Sequence, residues 1–163
     1  MTNELKLLYL YVQTTLINGM GESKKLLNSC LYFAANSLSR VITRMADEEF
    51  RGTGLSPSHA FLVVVVIDNP GIEQKEIGCK LKLAPSTVTR FIDTLEFKGV
   101  LMRKTEGKIS RIYPTEVAKQ LIPEFEKAWK ALYNRYSEAL SKEEGDKLTK
   151  LIFEAATKLE KGN

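Results

Sequence analysis

The chain has 163 residues, enough for one domain or for a small domain with helical extensions. Its 24 basic and 20 acidic residues give a formal charge of +4, and 44% of the chain is hydrophobic, as in an ordinary globular protein. Two cysteines do not point to a secreted disulfide framework, and the valine-rich run from Ala60 to Ile67 is far too short to span a membrane.

Residues 3–18 favour a helix, with Leu5, Leu8, Tyr9, Val12 and Leu16 covering much of its circumference. Glu4 beside Lys6, the interrupting Gln13 and the lack of a small-residue cleavage site argue against a signal peptide, so a reducing, cytoplasmic setting is expected. The run Asn18-Gly19-Met20-Gly21 reads as a break, which leaves 1–21 as a helical extension of undefined role. From Glu22 to about Phe50 one long amphipathic helix is expected, ended by Gly52-Thr53-Gly54. Ser56 then caps a new helix with Pro57 at its first position, and Asn69-Pro70-Gly71 stops it.

The stretch Gln74–Phe91 reads as two short helices joined by a tight turn. Ile77, Leu81 and Leu83 face inward from the first helix and the turn, while Val88, Phe91, Ile92 and Leu95 do so from the second. Gly78 has no side chain to hold the helices apart where they cross, and Lys82 stands where such turns usually carry glycine. Pro85 suits the start of the second helix, although Ala84 is a poor cap. Ser86, Thr87, Thr89 and Arg90 point outward, where hydroxyls can reach phosphates and base edges and Arg90 can fork onto guanine or a phosphate. A solvated polar face is the default for any such helix, and the charged hairpin C-terminal to it weighs against that default.

Gly99 ends the second helix, and Val100–Arg103 and Ile109–Pro114 are strand-like runs around the turn-like segment 104–108. A basic hairpin directly after two such helices is a wing, able to reach the neighbouring minor groove with Lys108. Between Cys79 and Arg111 stand eight basic residues, Lys80, Lys82, Arg90, Lys98, Arg103, Lys104, Lys108 and Arg111, against Asp93, Glu96 and Glu106. That local excess of five exceeds the whole chain's +4, so the surplus charge lies in and just after the two-helix unit, as a nucleic-acid partner requires. Thr115 caps a helix from Glu116 to about Glu138, broken or bent at Pro123, and Ser141–Glu144 is a capping box before a last amphipathic helix.

The stretches GLSPSHAFLVVVVIDNPG (54–71), QKEIGCKLKLAPSTVTRFIDTLEFKGVLMR (74–103) and EGKISRIYPTEVAKQL (106–121) resemble the MarR family of winged-helix transcriptional regulators. With the flanking helices the resemblance covers roughly residues 22–160. It implies a mainly α fold with a small β-hairpin wing, a winged helix-turn-helix between N- and C-terminal dimerisation helices. The implied organisation is a dimerisation helix at 22–52, a DNA-binding lobe at 53–115 and C-terminal dimerisation helices at 116–163. The implied partners are double-stranded DNA, a second copy of the chain in a homodimer, and a small aromatic or phenolic effector. The implied action is repression or activation at a palindromic operator, often relieved by that effector, and repression is the expected sense; the residues themselves carry no membrane span and no metal or cofactor motif. Ser86, Thr87, Thr89, Arg90, Lys108 and Arg111 are the expected DNA contacts. The family wing carries Asp-x-Arg at its tip, whereas Glu106-Gly107-Lys108 stands here, and lysine keeps the charge without the planar fork.

Two further readings stand beside the DNA reader: a winged protein-interaction module, and a thiol-based redox regulator acting through Cys30. The family's peroxide-sensing cysteine position aligns with Tyr32, about 200° around a helix from Cys30, so that geometry does not carry over. Tyr32, Phe33, Asn36 and Arg40, with His59 and Phe61, could line an effector pocket, though the same residues suffice as plain core. His59, the only histidine, has no partner set for a metal or a catalytic base, and no catalytic motif appears, so no enzyme is expected.

Overall fold

The computed structural model describes residues 20–107 and 109–161, and their side chains except those of residues 20–22 and 106. The predicted helix over 3–18, residues 18 and 19 of the predicted break, and Lys108 therefore lie outside the described residues. The chain divides into two compact units, Met1–Arg44 and Met45–Asn163.

In the first unit, α1 (Met20–Ser29) is followed by α2 (Leu31–Phe50), whose end belongs to the second unit. The single long helix expected from Glu22 is thus interrupted at Cys30. Beside the interruption the Ser29 hydroxyl donates to the carbonyls of Lys25 (3.0 Å) and Leu26 (3.3 Å). Helical bonding resumes at once, with Ala34 N–H donating to Cys30 O at 2.9 Å. Met20 and Gly21, placed in a break by the sequence, instead open α1.

In the second unit, a 3-10 turn (Arg51–Thr53) and Gly54, at φ 69°, end α2. Ser56 accepts the His59 backbone N–H at 3.3 Å and caps α3 (Pro57–Asp68), settling the valine run as helix with Ala60, Leu62, Val63 and Val66 buried. After Gly71 comes β1 (Ile72–Glu73), then α4 (Gln74–Leu81) and α5 (Pro85–Phe97). Strands β2 (Leu101–Glu106) and β3 (Ile109–Pro114) form the wing hairpin, in a three-stranded antiparallel sheet of order β1-β3-β2. Lys104, Thr105 and Glu106, expected in the turn, belong to β2, and the register Glu106↔Ile109 leaves only positions 107 and 108 between the strands. Ile72 pairs with Ile112, a third strand that the hairpin reading omitted. Gly71 is required at this corner: its φ is +85°, and a Cβ there would meet the Tyr113 ring at 3.1–3.2 Å.

The helical remainder is α6 (Glu116–Gln120), α7 (Ile122–Leu140) and α8 (Lys142–Lys161). The break falls at Leu121 with Pro123 in the first turn of α7, where its missing N–H is harmless. Ser141, at φ 65°, accepts the Glu144 N–H at 3.3 Å and its hydroxyl stands 3.2 Å from the Glu144 carboxylate.

One core joins these elements. Leu62, Val63, Val66, Ile77, Val88, Ile92, Leu95, Ile112 and Phe125 expose almost nothing. Phe50 and Phe125 meet Trp129 with ring centres 5.4 and 5.9 Å away, packing the end of α2 onto α7, and Arg135 of α7 reaches Glu48 and Glu49 of α2 at 2.6 and 3.1 Å. Apolar side chains at Leu151, Ile152, Phe153 and Leu159 leave one side of α8 uncovered.

Candidate nucleic-acid interface

The two helices of the reading unit cross where glycine permits it. A Cβ on Gly78 would lie 3.3 Å from the Leu83 carbonyl and 3.5 Å from a Val88 methyl, so any larger side chain would force the turn away from α4. The turn itself is made by Lys82 in the left-handed region, φ 54° and ψ 41°, at a backbone cost of about 1–2 kcal/mol for a residue with a Cβ. Leu83 N–H then reaches back to Gly78 O at 3.0 Å, and Pro85 opens α5. Val88, Ile92 and Leu95 bury one stripe of α5, which turns its polar residues outward.

Those outward residues are not equivalent. Ser86 and Arg90 are exposed, and Arg90 has no acidic partner among the described residues. Thr87 is half-buried. Thr89 is engaged inside the unit: its hydroxyl accepts from Gln74 Nε2 at 2.7 Å and donates to Pro85 O at 3.0 Å. That hydroxyl ties the start of α4 to α5. Its donor and one of its lone pairs are already in use.

The wing is bound to α5 by Arg103, whose guanidinium Nη2 lies 2.5 Å from Asp93 and 3.1 Å from Glu96, while its backbone N–H donates to Glu96 at 2.9 Å. Arg111, expected at the DNA, sits at the root of the wing. It donates to Gly71 O at 3.1 Å and pairs with Glu73 at 3.3 Å, bridging β3 to β1. Lys98 donates to Gly54 O at 2.9 Å, and Lys104 lies over the Tyr113 ring at 5.1 Å. Much of the positive charge counted in the sequence is therefore matched within the fold. Charge counts could not reveal this, because the partners of Arg111 and Lys98 lie 38 or more residues away.

The expected pocket residues fall in the two units. In the first, Tyr32 is 78% exposed, Asn36 donates to Tyr32 O at 2.7 Å, and Arg40 is exposed. Phe33 lines a shallow cleft of about 350 Å³ with Leu27, Leu38 and Val41. In the second, Phe61 stacks on Trp129 with ring centres 5.0 Å apart. His59 packs on Phe91 at 4.4 Å, shares a 2.6 Å hydrogen bond from Nδ1 with the Ser56 hydroxyl, and has its Nε2 buried without a partner. Burial, and after it the Lys98 ammonium, hold the imidazole below the ordinary histidine value. Cys30 and Cys79 are both free thiols. No single described helix is long and apolar enough to cross a membrane.

Two packed helices with an uncovered polar face, followed by a hairpin braced against the second, define a winged helix-turn-helix protein. The MarR family model matches residues 55–106, the reading unit with most of its wing. That is a regulator family, not an enzyme family. The chain is similar to the uncharacterized HTH-type transcriptional regulator YybA of Bacillus subtilis (strain 168), 27% identical over 89 residues, which are 53% of this chain and 59% of that protein. Among solved structures it is similar to the transcriptional regulator SlyA, with TM-score 0.68, 24% identity and coverage of 82% of this chain and 96% of that one. It is also similar to the transcriptional repressor CouR bound to p-coumaroyl-CoA, with TM-score 0.73, 20% identity and coverage of 80% and 94%. CouR bound to a 23-mer DNA duplex gives TM-score 0.69 at 19% identity, with coverage of 80% and 95%. These likenesses describe a shared fold.

Proposed function

We propose that this chain is a transcriptional regulator that reads double-stranded DNA as a homodimer, α5 entering the major groove and the wing the adjacent minor groove. The observation that carries the reading is the outward face of α5, where Ser86 and Arg90 stand exposed and Arg90 has no acidic partner among the described residues. Arg90 is the base-reading candidate, with Ser86 and Thr87 near the helix start as phosphate or base-edge contacts. Thr89 acts by holding α5 on Gln74, and Arg111 by holding the root of the wing, which leaves Lys108 as the wing residue for the groove. A structure of similar fold, CouR bound to a 23-mer DNA duplex, supports double-stranded DNA as the partner.

Residues 53–115 form the DNA-binding lobe, and 22–52 with 116–163 the dimerisation helices. The uncovered apolar side chains of α2 and α8 support that division, since a monomer seldom leaves such a face to water. Two-fold symmetry would place two α5 helices about 34–36 Å apart on a palindromic operator. The protein is a repressor released by a small aromatic or phenolic effector, a reading supported by the ligand-bound repressor CouR.

Selection of genomic fragments by the purified protein, followed by footprinting, tests the core of this reading. An enriched palindrome with half-sites one helical turn apart is the expected result. Salt-insensitive binding with no enriched sequence would leave the winged protein-interaction module instead. Light scattering on the same sample reads the dimer directly.

A further inference from the structure

The turn of the reading unit holds a cation that the reading through α5 does not use. Lys82 Nζ lies 2.9 and 2.8 Å from the two carboxylate oxygens of Glu160, near the end of α8, and 5.6 Å from the centre of the Phe153 ring. Both charged side chains are about half exposed, at 49% and 57%, so water and ions reach the pair freely. Lys82 also lines a groove of about 710 Å³ between α4, the turn and the root of the wing. Gln74, Lys75 and Ser110 share that wall, and the one carboxylate among its described residues, Glu73, is already paired with Arg111.

Three residues after Lys82, α5 begins, and on the proposed docking that helix start faces the DNA backbone. A groove edged by Lys75 and Lys82 has the charge to take a phosphate there. In the free protein, one of those ammonium groups already holds a pair of anionic oxygens.

We propose that Lys82 is a phosphate-binding residue of the DNA interface, and that Glu160 is its competitor within the same chain, a carboxylate standing in for a DNA phosphate until DNA arrives. The proposal rests on the DNA-reading function above. Exchange of one anion for another explains why a side chain is kept where the backbone favours glycine. It also makes α8 a brake on sequence-independent binding: DNA must displace Glu160 to gain the Lys82 contact.

The test uses the full chain and a short duplex of random sequence, with affinity measured across a range of salt. Glu160→Gln should tighten binding about 1.5- to 5-fold at low salt, the release of one exposed ion pair. Lys82→Gly, which suits the left-handed backbone, should lower the slope of log affinity against log salt by about 0.9, one phosphate contact. In the Lys82→Gly background, Glu160→Gln should have no effect. Glu154→Gln, the same charge change on the same helix, controls for net charge. Equal tightening by Glu160→Gln in both backgrounds, or no more than Glu154→Gln produces, would overturn the proposal. An unchanged salt slope in Lys82→Gly would do the same. A wild-type protein that binds no DNA would remove the DNA reading and this proposal together, whereas wild-type binding indifferent to Lys82 removes the proposal alone.

Discussion

Arg103→Ala removes the brace between the wing and the reading helix, and the loss can be worked from the contacts. The guanidinium is 25% exposed and reaches Asp93, 55% exposed, and Glu96, 31% exposed. An exposed pair contributes about 0.2–1 kcal/mol, and the more sheltered contact with Glu96 belongs at the upper end of that range. The backbone N–H bond from residue 103 to Glu96 survives the substitution, so the expected loss is about 1–2 kcal/mol. For a chain of this size that is a fall in Tm of roughly 2–8 °C. Thermal unfolding at fixed protein concentration, in low and high salt, reads it, since concentration alone moves the midpoint of an associating protein. The loss should shrink in high salt. Arg103→Lys should fall between the two, because one ammonium cannot serve both carboxylates with the geometry of a fork. An Arg103→Ala protein within about 1 °C of wild type at low salt would show that the brace contributes nothing and that the wing is held by its sheet alone.

Arg90→Ala should weaken operator binding by about 1–3 kcal/mol and relax the preference at one base position, measured by fluorescence anisotropy on operator variants; unchanged affinity would remove Arg90 as a base reader. Thr89→Val keeps the shape and β-branch but ends the bond from Gln74, at about 0.5–1.5 kcal/mol in urea unfolding. A similar loss in Gln74→Ala, with little further loss in the double variant, would confirm that the two act as one contact. His59 gives the protein an acid sensitivity. Its folded pKa lies below the ordinary 6.5, so the unfolded chain takes up the proton first. Stability contributed by the neutral imidazole is therefore fully present above pH 6.5 and is lost as pH falls through the folded value. His59→Gln should flatten the stability profile below pH 6.5, and an unchanged profile in that variant would assign the acid sensitivity to other groups.

Local chemistry made much of the reading unit legible in the sequence alone. Ser56 with Pro57, Pro85, Gly99 and Thr115 each mark an element end through bonds to near neighbours, and the structure has helix boundaries at all four. The features that escaped are non-local or very small. Strand β1 is two residues long and exists because residues 72 and 73 meet residues 112 and 111 across the chain. The interruption at Cys30 leaves no mark in the apolar pattern, which runs on through it. For the candidate site, the outward positions of Ser86 and Arg90 follow from helical periodicity. The engagement of Thr89 and Arg111 does not, since Gln74 reads only as the start of the first helix and Glu73 belongs to no element that the sequence predicts. A sequence shows which charges exist and is silent about which are already matched.

The sheet beneath the wing changes along its length. At Ile112, which is fully buried, β3 is flanked by β1 on one side and β2 on the other, whereas past Arg111 only two strands remain. Mechanically this is a cantilever clamped at the rows Ile72–Ile112–Arg103 and Glu73–Arg111–Lys104, with a free arm of two residue pairs, Thr105 with Ser110 and Glu106 with Ile109. At about 3.3 Å per residue the free arm is about 7 Å long before the turn. Residues at the tip can therefore be exchanged, lysine for arginine or one turn for another, without loosening the clamp or moving the helix beside it. The proposed groove contact and the fold are thereby separated along a single hairpin.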